Sequence, residues 1–401
     1  MSVQNASARQ RVLMALAHEE PDRIPVDFGG MRSSGISAMA YQRLRDLLGM
    51  RTGEPYVYDV RQQLAIVEEP VRQRFKVDVV PLDLDQMGDW QPYTLPDGSP
   101  AKTPAGYEFE QTKEGDVYWR DPVRRIARRP GGGFYFDYVY FPLAQARTPA
   151  DLEAWAWGGF TDAELEKLRT RAAQLYHESD YFILGRFGGS MYERGQDLRG
   201  WERFMLDMAE GGTFLEAFLE HLFESHMDNL KRYLAAVGDY IQAINFSDDL
   251  GTQRTLQISP AMYRRWIKPY HTHLYGYVRE HYPHVHVFLH CCGAIYDLIP
   301  DLIEAGVQIL NPVQTTARGM DPGRLKQNFG ADLTFWGGGC DTQHVLPRGT
   351  RDEVRADVRH RLEILAPGGG YVFNPIHNVQ PDVPPENVVA MFDAVREFGD
   401  G

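Results

Sequence analysis

"DYIQAINFSDDLG" (Asp239–Gly251), "SPAMYRRWIKPYHTHLYGYVREHYP" (Ser259–Pro283) and "HVHVFLHCCG" (His284–Gly293) follow one another closely and decide how the whole chain reads. The first is a short β-type run ending on two aspartates. The second opens with Ser259 as a helix N-cap and Pro260 at the first helical position, where a missing N–H is harmless. The third is again a short apolar run, now ending on His290 and Cys292. Strand, helix, strand, with polar side chains at each strand end, is the repeating unit of a parallel α/β fold.

The same alternation extends in both directions. Upstream lie "IPVDFGG" from Ile24, "VDVVPLDL" from Val77 and "YFILGRFGG" from Tyr181; downstream lie "VQILNP", "LTFWGGG" and "YVFNPIHN". Strands therefore start near 24, 77, 181, 240, 285, 307, 333 and 371. Helical patterns separate most of them: "TDAELEKL" with a Thr161/Glu164 capping box, a long helical region from Trp201 to Val237, "AIYDLIPDLIEAG", "DPGRLKQNFG", a helix capped by Thr350 and Glu353, and a last helix from Pro384. Eight such repeats predict an α/β fold of the (β/α)8 TIM barrel type. A doubly wound nucleotide fold would place G-x-G-x-x-G after its first strand, and "DFGGMRSSG" does not supply it. From about Trp90 the texture changes. Alternating residues around the turns "KEGD" and "PGGG" predict a β-hairpin insertion after the second strand, at about 90–141, within a single barrel domain spanning 1–401.

Composition narrows the function. A formal net charge of -13 disfavours nucleic acid as a partner, since phosphate binding needs a basic footprint. The basic run "RDPVRRIARRP" (Arg120–Pro130) reads as a solvated hairpin face. Three cysteines close no disulfide framework, the N-terminal stretch is polar, and no apolar run approaches the length of a membrane span; these features together predict a cytoplasmic protein. The 21 Tyr, 20 Phe and 7 Trp suit an aromatic-lined pocket for a small molecule.

In a (β/α)8 barrel the chemistry sits at the C-terminal ends of the strands. Here those ends carry Asp27; Asp83 and Asp85; Arg186, Tyr192, Glu193 and Arg194; Asp248 and Asp249; His290 and Cys292; Asn311 and Gln314; Cys340, Asp341 and Gln343; and His377. Strand alternation puts His290 and Cys292 on one face and sends Cys291 to the other, toward the helices. An H-x-C pair plus Cys340 from a later strand end makes three N/S ligands, a set that suits Zn²⁺ with one position open. Spacing alone also allows a chance grouping, or a Cys292 nucleophile with His290 as base. Asp248 and His377 are expected to orient substrate or move protons, and Glu193 to be a fourth ligand or a substrate contact. Asp83, Arg186, Tyr192, Asp249, Asn311 and Gln343 are expected to line the substrate site. His281, His284 and His286 flank a proline loop and are not read as ligands.

The stretches "RVLMALAHEEPDRIPVDF", "NFSDDLGTQRTLQISPAMYRRWIKPYH", "FLHCCGAIYDLIPDLIEAGVQILNPVQ", "GGGCDTQHVLPRGT" and "LAPGGGYVFNPIHNVQPDVPPENVVAMFDA" resemble the uroporphyrinogen decarboxylase superfamily, itself a (β/α)8 barrel. Its decarboxylases remove carboxyl groups from a polycarboxylate tetrapyrrole without metal or cofactor and hold it with an N-terminal arginine-rich motif. The corresponding stretch here offers only Arg32 in the loop, with Arg43 in the following helix. The other branch resembles this chain more closely: cobalamin-dependent methyltransferases with zinc held by H-x-C and a later Cys. His290, Cys292 and Cys340 match that pattern. The resemblance implies a zinc-dependent methyltransferase acting between methylcobalamin and a small thiol or other heteroatom substrate. No D-x-H-x-x-G signature is present, so the corrinoid is expected on a separate partner protein. The alternatives are a tetrapyrrole decarboxylase using Asp83 or Asp85 with His377, and a non-catalytic tetrapyrrole- or metal-binding barrel. A homodimer is the default expectation for such barrels.

Overall fold

A computed structural model of the chain describes residues 6–50, 53–121 and 124–399. They cluster into two compact units, Met1–Tyr140 with Trp336–Gly401, and Phe141–Phe335.

In the unit Phe141–Phe335, the strands Phe182–Gly188, Ala243–Ser247, His286–His290 and Ile309–Asn311 pair in chain order, all parallel. Register aligns Ser247 with His290 and His290 with Asn311, so three strands end level with one another. Thr334 and Phe335 extend the row beside Ile309 and Leu310. Both faces of these strands are covered, as parallel sheets require: Val287, Phe288 and Leu289 are all fully buried. Each such side chain contributes about 1.5–3 kcal/mol of burial.

The helices between them begin where expected. Thr161 and Glu164 form a reciprocal capping box for Asp162–Glu178, and Ser259 accepts from the Met262 N–H. Two expectations of continuous helices are corrected. The region from Trp201 to Val237 is two helices, Trp201–Glu210 and Thr213–Val237, parted at Gly211 and Gly212, whose φ of 68° and 91° leave the right-handed region. The stretch after Ser259 likewise splits into Pro260–Trp266 and Lys268–His281, because Pro269 has no N–H to continue the ladder.

In the other unit, the strand Val79–Leu82 is followed by the expected insertion: a hairpin of Trp90–Thr94 with Pro100–Pro104, then an antiparallel sheet of Glu108–Gln111, Val117–Arg120, Arg125–Arg129 and Asp137–Tyr138. The four-stranded sheet has its own small core of Val60, Val117, Ala127 and Phe136. Its arginines meet carboxylates, Arg128 with Asp116 at 2.7 Å, Arg124 with Asp121 at 3.0 Å, and Arg125 with Glu110. These three of the five arginines in the basic run are therefore paired with carboxylates on this face.

The first strand position is shorter than its sequence suggests. It survives as a parallel bridge between Val26 and Phe373, with Asp78 N–H donating to Val26 O on its other side. Gly337 and Gly339 donate to Val372 and Asn374, which sets the last two strand ends side by side. Among the described residues all eight strand positions read from the sequence recur, and the fold class is the (β/α)8 barrel with a β-hairpin insertion. Charge pairs anchor this end: Asp78, with no exposed side-chain surface, takes Arg11 at 2.7 Å, Arg23 at 2.7 Å and 2.8 Å, and the Val26 N–H at 2.9 Å. Arg11 also pairs with Asp22 at 2.7 Å.

Candidate functional site

The level strand ends of the unit Phe141–Phe335 collect most of the polar residues singled out above. His290 Nε2 lies 3.3 Å from Cys292 Sγ. The other ring nitrogen, Nδ1, lies 2.6 Å from Asn311 Oδ1. An amide oxygen only accepts, so Nδ1 carries the proton and the Nε2 lone pair faces Cys292. Asp249 Oδ1 accepts the Cys292 N–H at 2.7 Å and stands 3.7 Å from His290 Nε2. Glu193 Oε2 accepts from the Ser247 hydroxyl at 3.2 Å.

The turns that carry these groups approach closely. Gly293 has φ 94°, and a Cβ there would lie 2.5 Å from the Gly251 carbonyl carbon. Only glycine lets the turns after Asp249 and Cys292 pack backbone to backbone. Cys291, as expected, is buried at 2% exposure and accepts from the Leu250 N–H at 3.4 Å.

Electrostatics here are acidic. Burial, then Asp249 and Asp248, push the Glu193 carboxyl well above its ordinary range. Burial, with Asp249, Cys291 and Glu193 nearby, also pushes the Cys292 thiol up. A free thiolate nucleophile is disfavoured in this company, whereas a divalent cation would reverse the balance.

Three assignments change. Asp248 is fully buried and accepts from the backbone N–H groups of Met191 at 3.1 Å, Tyr192 at 3.0 Å and Glu193 at 2.8 Å, and from His271 Nε2 at 3.0 Å. It holds residues in place and has no surface left for substrate. Tyr192 is fully buried too, its hydroxyl 3.0 Å from the Met205 sulfur, so it is core. Asn311, also fully buried, orients His290 where a substrate contact was expected. Arg186 is half-buried on its strand, opposite Asn245 in the register. His284 and His286 bond to the carbonyls of Gly238 and Gln242, consistent with their reading as non-ligands.

The remaining residues lie in the other unit. Cys340 is fully buried, and burial pushes its thiol up, with Asp357 as its nearest acidic neighbour and hydrogen-bond partner. Asp357 is itself paired with Arg361 at 3.0 Å. Gln343 is exposed and lies in the turn that Asp341 caps at 2.7 Å. Asp83 caps the turn Leu84–Gln86 through the Asp85 N–H. His377 is half-buried in a loop whose Asn378 and Gln380 bond to the Tyr135 hydroxyl at 3.1 Å and 2.6 Å, so the insertion is tied to that loop. Asp27 is fully buried, receives Trp336 Nε1 at 2.9 Å and Gly30 N–H at 2.8 Å, and is pushed by burial to about 6. Arg32 pairs with Asp59 and, at 2.7 Å, with Asp85.

His271, Tyr263 and His226 were not legible as site residues; nothing in a helical run marks a histidine that will meet a carboxylate on a distant strand. His226 Nε2 lies 3.0 Å from Ser190 O, and burial holds its imidazole down, from 6.5 to about 4. The unfolded chain takes up this proton and the folded chain does not, so protonation favours unfolding. Stability present above pH 6.5 should therefore be lost as the pH falls toward about 4. Urea midpoints at pH 7 and pH 5 should drop less in His226→Gln than in the wild type; equal drops would rule the histidine out as the source.

The sequence profile described as Uroporphyrinogen decarboxylase (URO-D) matches residues 188–398, more than half of the chain. The chain belongs to the uroporphyrinogen decarboxylase family. The uroporphyrinogen decarboxylase of Syntrophotalea carbinolica is 30% identical over 142 residues, 35% of this chain and 38% of that protein. That of Geobacter sulfurreducens is 24% identical over 223 residues, 53% of this chain and 59% of that protein. The matches thus span less than two thirds of these relatives. A solved methyltransferase from Methanosarcina mazei shares the fold at a TM-score of 0.60 and 19% identity, with 98% of this chain and 99% of that one covered. No helix among the described residues is long and apolar enough to cross a membrane.

Proposed function

We propose that the chain is a zinc-dependent methyltransferase that moves a methyl group between a corrinoid on a separate protein and a small thiol or other heteroatom substrate. The observation that carries this reading is His290 Nε2 and Cys292 Sγ 3.3 Å apart, on an imidazole held by Asn311. Nitrogen and sulfur ligands about 2.0 and 2.3 Å from one tetrahedral ion stand roughly 3.5 Å apart. A ligating histidine also needs its other N–H held by an acceptor, the role Asn311 fills here. His290 and Cys292 would hold the metal with Cys340 as third ligand, and the carboxylates of Asp249 and Glu193 favour a cation near them. Zinc, when bound, supplies Lewis acidity that lowers the pKa of a substrate thiol toward neutrality.

The chain's own residues do the rest. The Glu193 carboxyl, pushed above its ordinary range by burial and by Asp249 and Asp248, is the group proposed to exchange a proton with the substrate heteroatom. Asp83, Arg186, Gln343 and His377 remain the proposed substrate-orienting groups. The second reading, decarboxylation of a tetrapyrrole, is favoured by what the relatives are called. Against it stands Arg32, already neutralised by Asp59 and Asp85, because a polycarboxylate needs cations that are free to meet it.

Zinc-loaded protein mixed with methylcobalamin and a panel of small thiols should show thiol-dependent loss of the methyl–cobalt absorbance, absent in Cys292→Ala. Uroporphyrinogen turnover without any such demethylation would reverse the ranking.

A further inference from the structure

Asp248 stands at a junction of three elements. Its carboxylate binds the backbone at Met191, Tyr192 and Glu193, the start of the helix Tyr192–Arg199. Its own N–H donates to His290 O at 2.9 Å, at the end of the strand His286–His290. The next residue, Asp249, accepts the Cys292 N–H. Asp248 therefore ties the Glu193 turn, through its carboxylate, to the strand end at His290, through its own N–H, and its neighbour Asp249 extends the link to Cys292.

What holds that carboxylate is a chain of side chains from outside the strand ends. His271 Nε2 lies 3.0 Å from Asp248 Oδ2, and His271 Nδ1 lies 3.1 Å from the Tyr263 hydroxyl. A carboxylate only accepts, so His271 donates from Nε2; in the neutral ring Nδ1 then accepts from Tyr263. The imidazole is 1% exposed and stacks on Tyr275 at 5.0 Å and 27°, which holds its ring plane. Without His271, Asp248 Oδ2 loses its side-chain donor and is left with the Met191 and Tyr192 N–H groups alone, a loss that is felt in a buried site. The cheapest relief is rotation of the carboxylate, which pulls on the Tyr192–Glu193 turn.

We infer that His271, fixed by Tyr263, is a positioning residue: acting through Asp248, it holds Glu193 in register with His290 and Cys292. This rests on the proposed metal and proton roles of those three residues, but the positioning itself can be read without them. A core histidine with no such role would change global stability alone.

The test uses the full chain with three variants. His271→Leu removes the donor, His271→Gln keeps an amide N–H near the Nε2 position, and Tyr263→Phe removes only the hydroxyl and spares folding. Hydrogen exchange of the Met191, Tyr192 and Glu193 amides is followed against those of the helix Asp162–Glu178 as internal reference. Exchange at the three amides is expected to rise roughly tenfold in His271→Leu, less in Tyr263→Phe, and to return toward wild type in His271→Gln. Unchanged exchange at those amides in folded His271→Leu and Tyr263→Phe overturns the inference. Cobalt(II) titration of the same proteins separates the two ideas. Wild type without a thiolate–cobalt absorption band sinks the metal reading, while the exchange data still decide the positioning. With the band present, roughly tenfold weaker cobalt binding in His271→Leu, restored in His271→Gln, is expected.

Discussion

Alanine at His290 or at Cys292 is expected to strip the protein of bound zinc and to lower methyl transfer by at least about 100-fold, with little change in folding. Both side chains are only partly buried, and neither closes a packed core. Their loss should therefore leave the thermal transition of the metal-free protein nearly unmoved. Purified wild type should carry about one zinc per chain, released by a chelator. Asn311→Ala should retain weaker binding, since it frees the imidazole without removing a ligand, and a loss of about 10–100-fold in affinity is the usual size of such an effect. Cys340→Ala separates the versions of the ligand set. The thiol of Cys340 is engaged with Asp357, so a ligand role requires it to give up that partner. Zinc lost in Cys340→Ala supports the three-ligand set; zinc unchanged removes Cys340 from it. Wild-type protein that holds no zinc at all would end the metal reading for every one of these residues.

The second large effect concerns stability. Asp78→Ala should destabilise the folded chain by about 3–5 kcal/mol, the usual result of removing one partner from a buried charge pair. Asp78 has no exposed side-chain surface and meets two guanidinium groups and a backbone N–H. Arg11 would keep its ion pair with Asp22, whereas Arg23 would keep the carbonyl of Ile24 at 3.2 Å and the more distant field of Asp22. Asp78→Asn should recover little, because an amide cannot pair with two cations. Urea unfolding of the intact chain measures this, and a loss below about 1 kcal/mol would show that the arginines find solvent or other partners. In the N-terminal stretch "RVLMALAHEEPDRIP", Arg11 and Arg23 are spaced to meet Asp78, and Asp22 braces Arg11.

Local pattern carried the fold. The eight strand starts were readable because short apolar runs, capping residues such as Thr161, Ser259 and Thr350, and turn glycines are signals along the chain itself. The insertion was readable for the same reason, since its alternation and its glycine turns are local. Helix continuity was misread at Gly211–Gly212 and at Pro269, where a single backbone property outweighs a long apolar periodicity.

The candidate site divides along the same line. By itself the sequence determined that His290 and Cys292 share a side of their strand end, that Cys291 does not, and that two aspartates end the preceding strand. Residue type and a period of two are enough for that. Only tertiary structure decided which aspartate is which. Asp248 and Asp249 are adjacent and chemically identical, yet one is sealed under three backbone N–H groups and His271 while the other stays 3.7 Å from His290 Nε2. Burial and hydrogen-bond partners are set by residues 23 to 57 positions away in the chain, and no local pattern records them.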